Sequence, residues 1–299
     1  LISMRYYIVT IAAIFIALGT GILIGVNLNE SDFYLNQQQL LLNDIENKFN
    51  QLQQEREDYI NEIEGLLNEN QKNSSLIDSL YEKIVNKRLE GYNVAIITTN
   101  HNYYYGEIKK VLEKAGAKVP IEINYNNNIF NYDDEAVARQ FRDFSIYDSK
   151  QLIDTLNSRV IDLITFGNED DLLKQLKDMK IINYSLDLSM VASNPIHYIV
   201  LAGGSINSNY EKFQQIDLSL INRCKKNVIP VVGVEAIDVK HSYIPYYQAE
   251  EISTVDNVNT KMGKISLIYV ISGINGNFGE GEFSKDFVPN FMKEKEGFN

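Results

Sequence analysis

His197-Tyr198-Ile199-Val200-Leu201-Ala202-Gly203-Gly204-Ser205 reads as a strand buried on both faces and closed by a tight turn. An unbroken apolar run ending in glycine fits the interior of a parallel sheet, where helices cover both faces and no polar alternation survives. Asn93-Val94-Ala95-Ile96-Ile97-Thr98-Thr99 and Val228-Ile229-Pro230-Val231-Val232-Gly233-Val234 repeat the pattern before and after it. Between them, Ile108, Val111 and Leu112 space like one helix face ended by Gly116, and residues 119–125 form a second strand pattern. Helical patterns follow at 134–144 and 148–158, then a strand-like run at 160–166, a helix near 169–178 and a weaker strand at 180–184. A further helix is expected at about 210–226. Short β-branched runs alternating with helices imply an α/β fold, a Rossmann-like doubly wound and mostly parallel sheet over residues 91–275.

Ligands of such sheets bind beyond the carboxyl ends of the strands. The candidates there are Asn100 and His101, Gly167 and Asn168, Gly203, Gly204 and Ser205, and Glu235. No GxGxxG follows the first strand and no GxxxxGK[ST] occurs, so Gly203-Gly204 reads first as a turn and second as a cradle. Catalytic signatures are absent too: there is no G-x-S-x-G and no HExxH. Cys224, beside Arg223, Lys225 and Lys226, reads as a core residue ahead of an activated thiol. His101, His197 and His241 sit on separate elements, and His197 opens an apolar strand as a structural residue would. The chain is read as a non-enzyme.

Toward the carboxyl end, Ser253-Thr254-Val255-Asp256-Asn257-Val258-Asn259-Thr260 leads into an apolar segment at 262–272. Asp256, Asn257 and Thr260 are side chains that cap helices, and a strand–turn–helix junction is favoured over ligand contact by Asp256 and Asn257. The β-branched content of 265–271 leaves helix and strand both open. Residues 276–299 are glycine-rich and polar and read as a loosely attached tail.

Upstream of Asn93 the pattern changes. With Leu35 at heptad position a, the a and d series runs through Leu42, Ile45, Phe49, Leu52, Tyr59, Ile63, Leu66, Ile77, Leu80 and Ile84. No proline interrupts it, and a 3.5-residue apolar repeat is what a coiled coil requires. Residues 31–90 are therefore expected to form a coiled-coil stalk that makes a homodimer, against the rival of a helix packed on its own domain. Arg56 occupies one a position, and Asn68 to Ser75 carries no apolar residue, so the coil there is either loosened or folded back.

From Tyr6 to Leu28 no residue is charged, and a run of about 23 exceeds the roughly 20 needed to cross a bilayer. The stretch exits without an Ala-x-Ala pattern, which favours an uncleaved transmembrane anchor, residues 1–30, over a signal peptide. Arg5 precedes the span while Glu30 and Asp32 follow it, so the amino terminus is expected inside and the rest outside the plasma membrane. Ala13, Ala17, Gly21 and Gly25 recur every fourth residue and would let two helices approach closely.

Over all 299 residues, 28 Lys plus Arg against 40 Asp plus Glu leave a net charge of −12, which argues against a nucleic-acid partner. One cysteine excludes a disulfide framework and any CxxC site, and three histidines and five methionines offer no dense soft-metal site. No cofactor is evident from these residues.

Ser3-Met4-Arg5-Tyr6-Tyr7-Ile8-Val9, continuing through Ala12-Ala13-Ile14-Phe15-Ile16-Ala17-Leu18-Gly19 to Gly21-Ile22-Leu23-Ile24-Gly25, resembles the start of the MctB-like copper transporter family. Ser253-Thr254-Val255-Asp256-Asn257-Val258, with Thr260 and Gly263, is similar to that family's S-T-V-D-N segment. Tyr7 stands where the family often has His. The resemblance implies a bacterial cell-envelope protein of copper homeostasis. It also implies kinship with SteB-like proteins of envelope assembly and division, whose partner is a SteA-like protein. Copper enters only through this resemblance. A single span forms no conduit by itself, so the residues favour a scaffold over a pore.

Overall fold

The computed structural model describes residues 4–100, 102–187, 195–208 and 210–290. It divides into two compact units, Leu1–Ser75 and Leu76–Asn299.

The first unit is helical throughout its described length, as the greater part of helix α1, Met4–Val85. Its segment Met4–Val26 is long and apolar enough to cross a membrane, with a mean hydropathy of 2.5. The polar stretch 68–75 stays in the helix. Leu42, Ile45, Phe49 and Leu52 are each more than 60% exposed, leaving the heptad stripe open along the single chain.

In the second unit the end of α1 packs on the α/β core. Val85 and Leu89 are buried, Tyr81 and Ile84 pack beside them, and Glu82 bonds Lys114 at 2.8 Å while Asp78 pairs with Lys261. A seven-stranded sheet follows, ordered β3-β2-β1-β4-β5-β6-β7. Its strands are β1 Asn93–Thr98, β2 Lys118–Tyr125, β3 Ile182–Leu186, β4 Tyr198–Ala202, β5 Val231–Val234, β6 Ser253–Val255 and β7 Asn277–Phe278. All neighbours are parallel except β2 and β3, which pair antiparallel with Ile121 opposite Leu186.

Both faces are covered. Ile97, Ile121, Ile199 and Leu201 pack against helices α3 Asp134–Gln140, α4 Ser149–Phe166 and α5 Asp171–Asp178. The same face meets a helical run comprising Tyr210–Lys212, the π-helical Phe213–Leu218 and α6 Ser219–Lys226, together with α7 Ile244–Ala249. Val94, Ile96, Val200 and Val232 face the other way, onto α2 Glu107–Lys114 and α8 Lys261–Ile271. Strands buried on two faces lose alternation, which is why their sequences read as unbroken apolar runs.

Three expectations are corrected. Residues 160–166 are not a strand but the second half of α4: Asp148 caps the helix by accepting from Gln151 N–H, and Leu152, Leu156, Val160 and Leu163 share its buried face. Gly167 ends it at φ +69, so Gly167 and Asn168 close a helix and do not follow a strand. Residues 276–290 are not a loose tail, because β7 adds to the sheet and Thr254 N–H bonds the Gly276 carbonyl at 3.0 Å. The last coil positions are not all free for a second helix, since Ile84 packs on its own domain. The open choice at 265–271 resolves as helix, capped by Thr260, whose hydroxyl accepts from Gly263 N–H at 3.0 Å. Gly263 is needed there because a Cβ would meet the Asn257 carbonyl oxygen at 2.0 Å.

Candidate functional site at the carboxyl end of the sheet

The chain leaves β1 toward one edge and returns at β4 to build the other, so the direction of winding reverses between β1 and β4. Thr99 and Asn100 follow the first of these strands, and Gly203, Gly204 and Ser205 the second. The structure brings these residues together and closes them onto one another. The Asn100 side-chain amide donates to the Gly204 carbonyl, the Tyr105 phenol to Gly203 O at 2.8 Å, and the Tyr103 phenol to Ser205 O at 3.2 Å. Gly203 N–H is spent on Val234 O and Ser205 N–H on His241 O. These three carbonyls are capped by side chains and the two N–H groups are spent on backbone, which disfavours a phosphate cradle. His101 lies outside the described residues.

What fills the crevice is Tyr247. Its hydroxyl reaches Asp217 Oδ1 at 2.5 Å, and the same oxygen accepts from Thr99 Oγ1 at 3.0 Å. The ring needs two glycines: a Cβ on Gly203 would fall 2.0 Å from the Tyr247 hydroxyl, and one on Gly233 2.3 Å from its ring. The Gly203-Gly204 pair is thus a place where a side chain approaches the backbone closely, with Gly204 at φ +88 completing the turn.

Asp217 sits in the π-helical stretch and is fully buried, with Oδ2 lacking a hydrogen-bond partner. Burial pushes its carboxyl up to about 6, against the lowering influence of the Tyr247 hydroxyl, Lys212 and Thr99. Lys212, also buried, donates to Asn127 Oδ1 at 2.7 Å, and burial lowers its ammonium below the usual range. Neither residue was singled out from sequence. The available signal was position: Asp217 falls on the same helical face as Phe213, Leu220, Ile221 and Cys224.

Glu235, which follows β5, is the second buried carboxyl. It accepts from Ser242 Oγ at 2.7 Å and from Tyr243 N–H, and burial pushes it up to about 8, with Asp217 and Asp256 adding repulsion. It forms the inner end of a groove of about 350 Å³ whose rim includes Asp256, Glu280 and Glu282. Asp256 does not cap α8. Its carboxylate accepts from Glu280 N–H and Gly281 N–H, both at 2.8 Å, and from Ser284 Oγ at 2.5 Å, tying residues 280–284 to the end of β6. Asn257 reinforces the tie by donating to Glu280 Oε1 at 3.0 Å. The Ser-Thr-Val-Asp-Asn segment is therefore a latch between β6 and the carboxyl-terminal strap.

Soft donors are dispersed. Cys224 is buried in the core, and burial pushes its thiol up to about 12, which removes the activated-thiol reading. His197 Nδ1 accepts the Asn93 backbone N–H at 2.9 Å, a structural role. Among the described residues no group of three or more His, Cys, Asp or Glu is placed to hold a metal ion.

No curated protein matches the chain. Residues 1–289 match the family model described as copper transport outer membrane protein, MctB, and the chain belongs to that family, the one its two end motifs resemble.

Proposed function

We propose that the chain is a membrane-anchored, dimeric scaffold of the bacterial envelope that displays a Rossmann-like α/β domain on a coiled-coil stalk. The observation that carries this reading is the helix Met4–Val85: an apolar segment fit to span a bilayer continues without a break into a heptad stripe of exposed Leu, Ile and Phe. A row of large apolar side chains in water marks a surface meant to be covered. In this reading the amino terminus is cytoplasmic, the stalk and domain lie outside, and the domain serves by binding other envelope proteins rather than by catalysis. The filled crevice at the end of β1 and β4 supports that choice.

Copper handling comes to this chain from its family. A copper route would require thiolate, thioether or imidazole ligands gathered in one place. The second reading, a SteB-like division or wall-assembly scaffold working with a SteA-like partner, needs no such cluster. Copper(I) titration of the full chain in detergent separates the two. Stoichiometric, tight binding would defeat the scaffold-only reading. Unchanged copper tolerance with altered septation in a deletion strain would defeat the copper reading.

A further inference from the structure

We propose that two copies of this chain dock in parallel and in register along residues 35–66, with Arg56 of each copy paired to Glu55 of the partner subunit. This inference rests on the dimeric reading above and specifies its interface.

The apolar stripe of α1 carries one interruption between Leu35 and Leu66 that is charged, Arg56 at an a position. Its guanidinium makes no ion pair within its own chain among the described residues. In a parallel coiled coil each a side chain enters a hole formed by four residues of the facing helix: the a and d of the same heptad, and the d and g before it. For Arg56 those four are Leu52, Glu55, Arg56 and Tyr59 of the partner subunit. Glu55 is the only carboxylate among them, and within its own chain it accepts only a neutral amide, Gln51 Nε2 at 3.1 Å. The arrangement is self-complementary about a two-fold axis, with two arginines facing two glutamates. A register slip of one heptad would set one copy's Arg56 among Tyr59, Glu62, Ile63 and Leu66 of the partner subunit and the other's among Ile45, Lys48, Phe49 and Leu52 of the partner subunit, so that only one arginine meets a carboxylate and the other meets a lysine. It would also leave two arginines in separate apolar layers. A charged group in the seam thus selects one register at some cost in stability.

Two further observations favour a second copy over another partner. Counting the same heptads back through the unbroken helix places Gly21 at a and Ala17 at d, among Ile14, Ile24 and Leu28, so the seam continues into the apolar segment with two small residues on it. Both copies would also carry their apolar segments at the same end, as one membrane requires.

The test uses the full chain. Leu52→Cys, at d, should cross-link to a dimer in native membranes under mild oxidation, while Gln54→Cys, at the outer f position, should not; the buried Cys224 stays in place in both. In detergent, Glu55→Lys should weaken the dimer at least tenfold by sedimentation equilibrium, and the exchange Glu55→Arg with Arg56→Glu should restore it. A chain that stays monomeric at every concentration overturns both this inference and the scaffold reading. A dimer that cross-links equally at 52 and 54, or that ignores both charge changes, overturns this inference and leaves the scaffold standing.

Discussion

The hydroxyl of Tyr247 reaches the Asp217 carboxylate through the gap left by Gly203, and the Tyr247 side chain explains both the glycine after β4, Gly203, and the one within β5, Gly233. Replacing Tyr247 with Phe removes one of the two donors on Asp217 Oδ1 and should destabilise the fold by about 1–3 kcal/mol, the usual loss for a buried polar partner. Urea unfolding read by near-ultraviolet circular dichroism measures it, and a change below a few tenths would show the contact to be idle.

Gly203→Ala should cost about 1–3 kcal/mol by overpacking against the same phenol. The double change Gly203→Ala with Tyr247→Phe should cost less than the sum of the two, because the hydroxyl that meets the new Cβ is gone. Additive losses would place the strain elsewhere.

Buried Asp217 and Glu235 make the domain sensitive to pH. Both carboxyls lie above their ordinary values in the fold, at about 6 and about 8, so the folded state holds protons that the unfolded chain releases. Their contribution is fully present below the unfolded values and is lost as pH rises through the folded ones. Stability, and the melting temperature with it, should therefore fall from pH 5 to about pH 8, by about 1.4 kcal/mol per pH unit for each group that is protonated in the fold and ionised in the unfolded chain. Glu235→Gln should flatten the upper part of that slope; an unchanged slope would assign the titration to other groups.

Asp256→Ala should release the strap. The variant loses three hydrogen bonds to a carboxylate, each worth roughly 1.5–3 kcal/mol locally. Amide exchange of residues 277–286 should accelerate while α4 keeps its protection. Equal acceleration in both would make Asp256 a global rather than a local tie.

Phe15→Arg places a charge near the middle of the apolar segment, at roughly 2.5–3.5 kcal/mol on insertion scales. The chain should shift from the membrane to the soluble fraction on ultracentrifugation of lysates, and retention in the membrane would show that another element anchors it.

The parallel strands were legible because burial on two faces writes itself into the sequence as uninterrupted apolar runs, as at Tyr198–Ala202. The error at 160–166 has a local cause. Val160, Ile161 and Ile164 are β-branched, and that preference masked the helical spacing that continues from Leu152 and Leu156. Strand β7 has two residues, too few to produce any periodicity. The site was legible only in outline. Gly203-Gly204 stood out, but its reason, Tyr247, comes from a distant helix that no local pattern connects to it. Asp217 was hidden among apolar neighbours, where a carboxylate on a buried face was itself the clue.

Strand β1 follows α1 in the chain and lies inside the sheet, bonded to β2 on one side and β4 on the other. Tension carried along α1 would meet the core before it reached that strand, through buried Val85 and Leu89 and through the pairs of Glu82 with Lys114 and Asp78 with Lys261. Freeing β1 would then require breaking its bonds to two neighbours, where an edge strand has one.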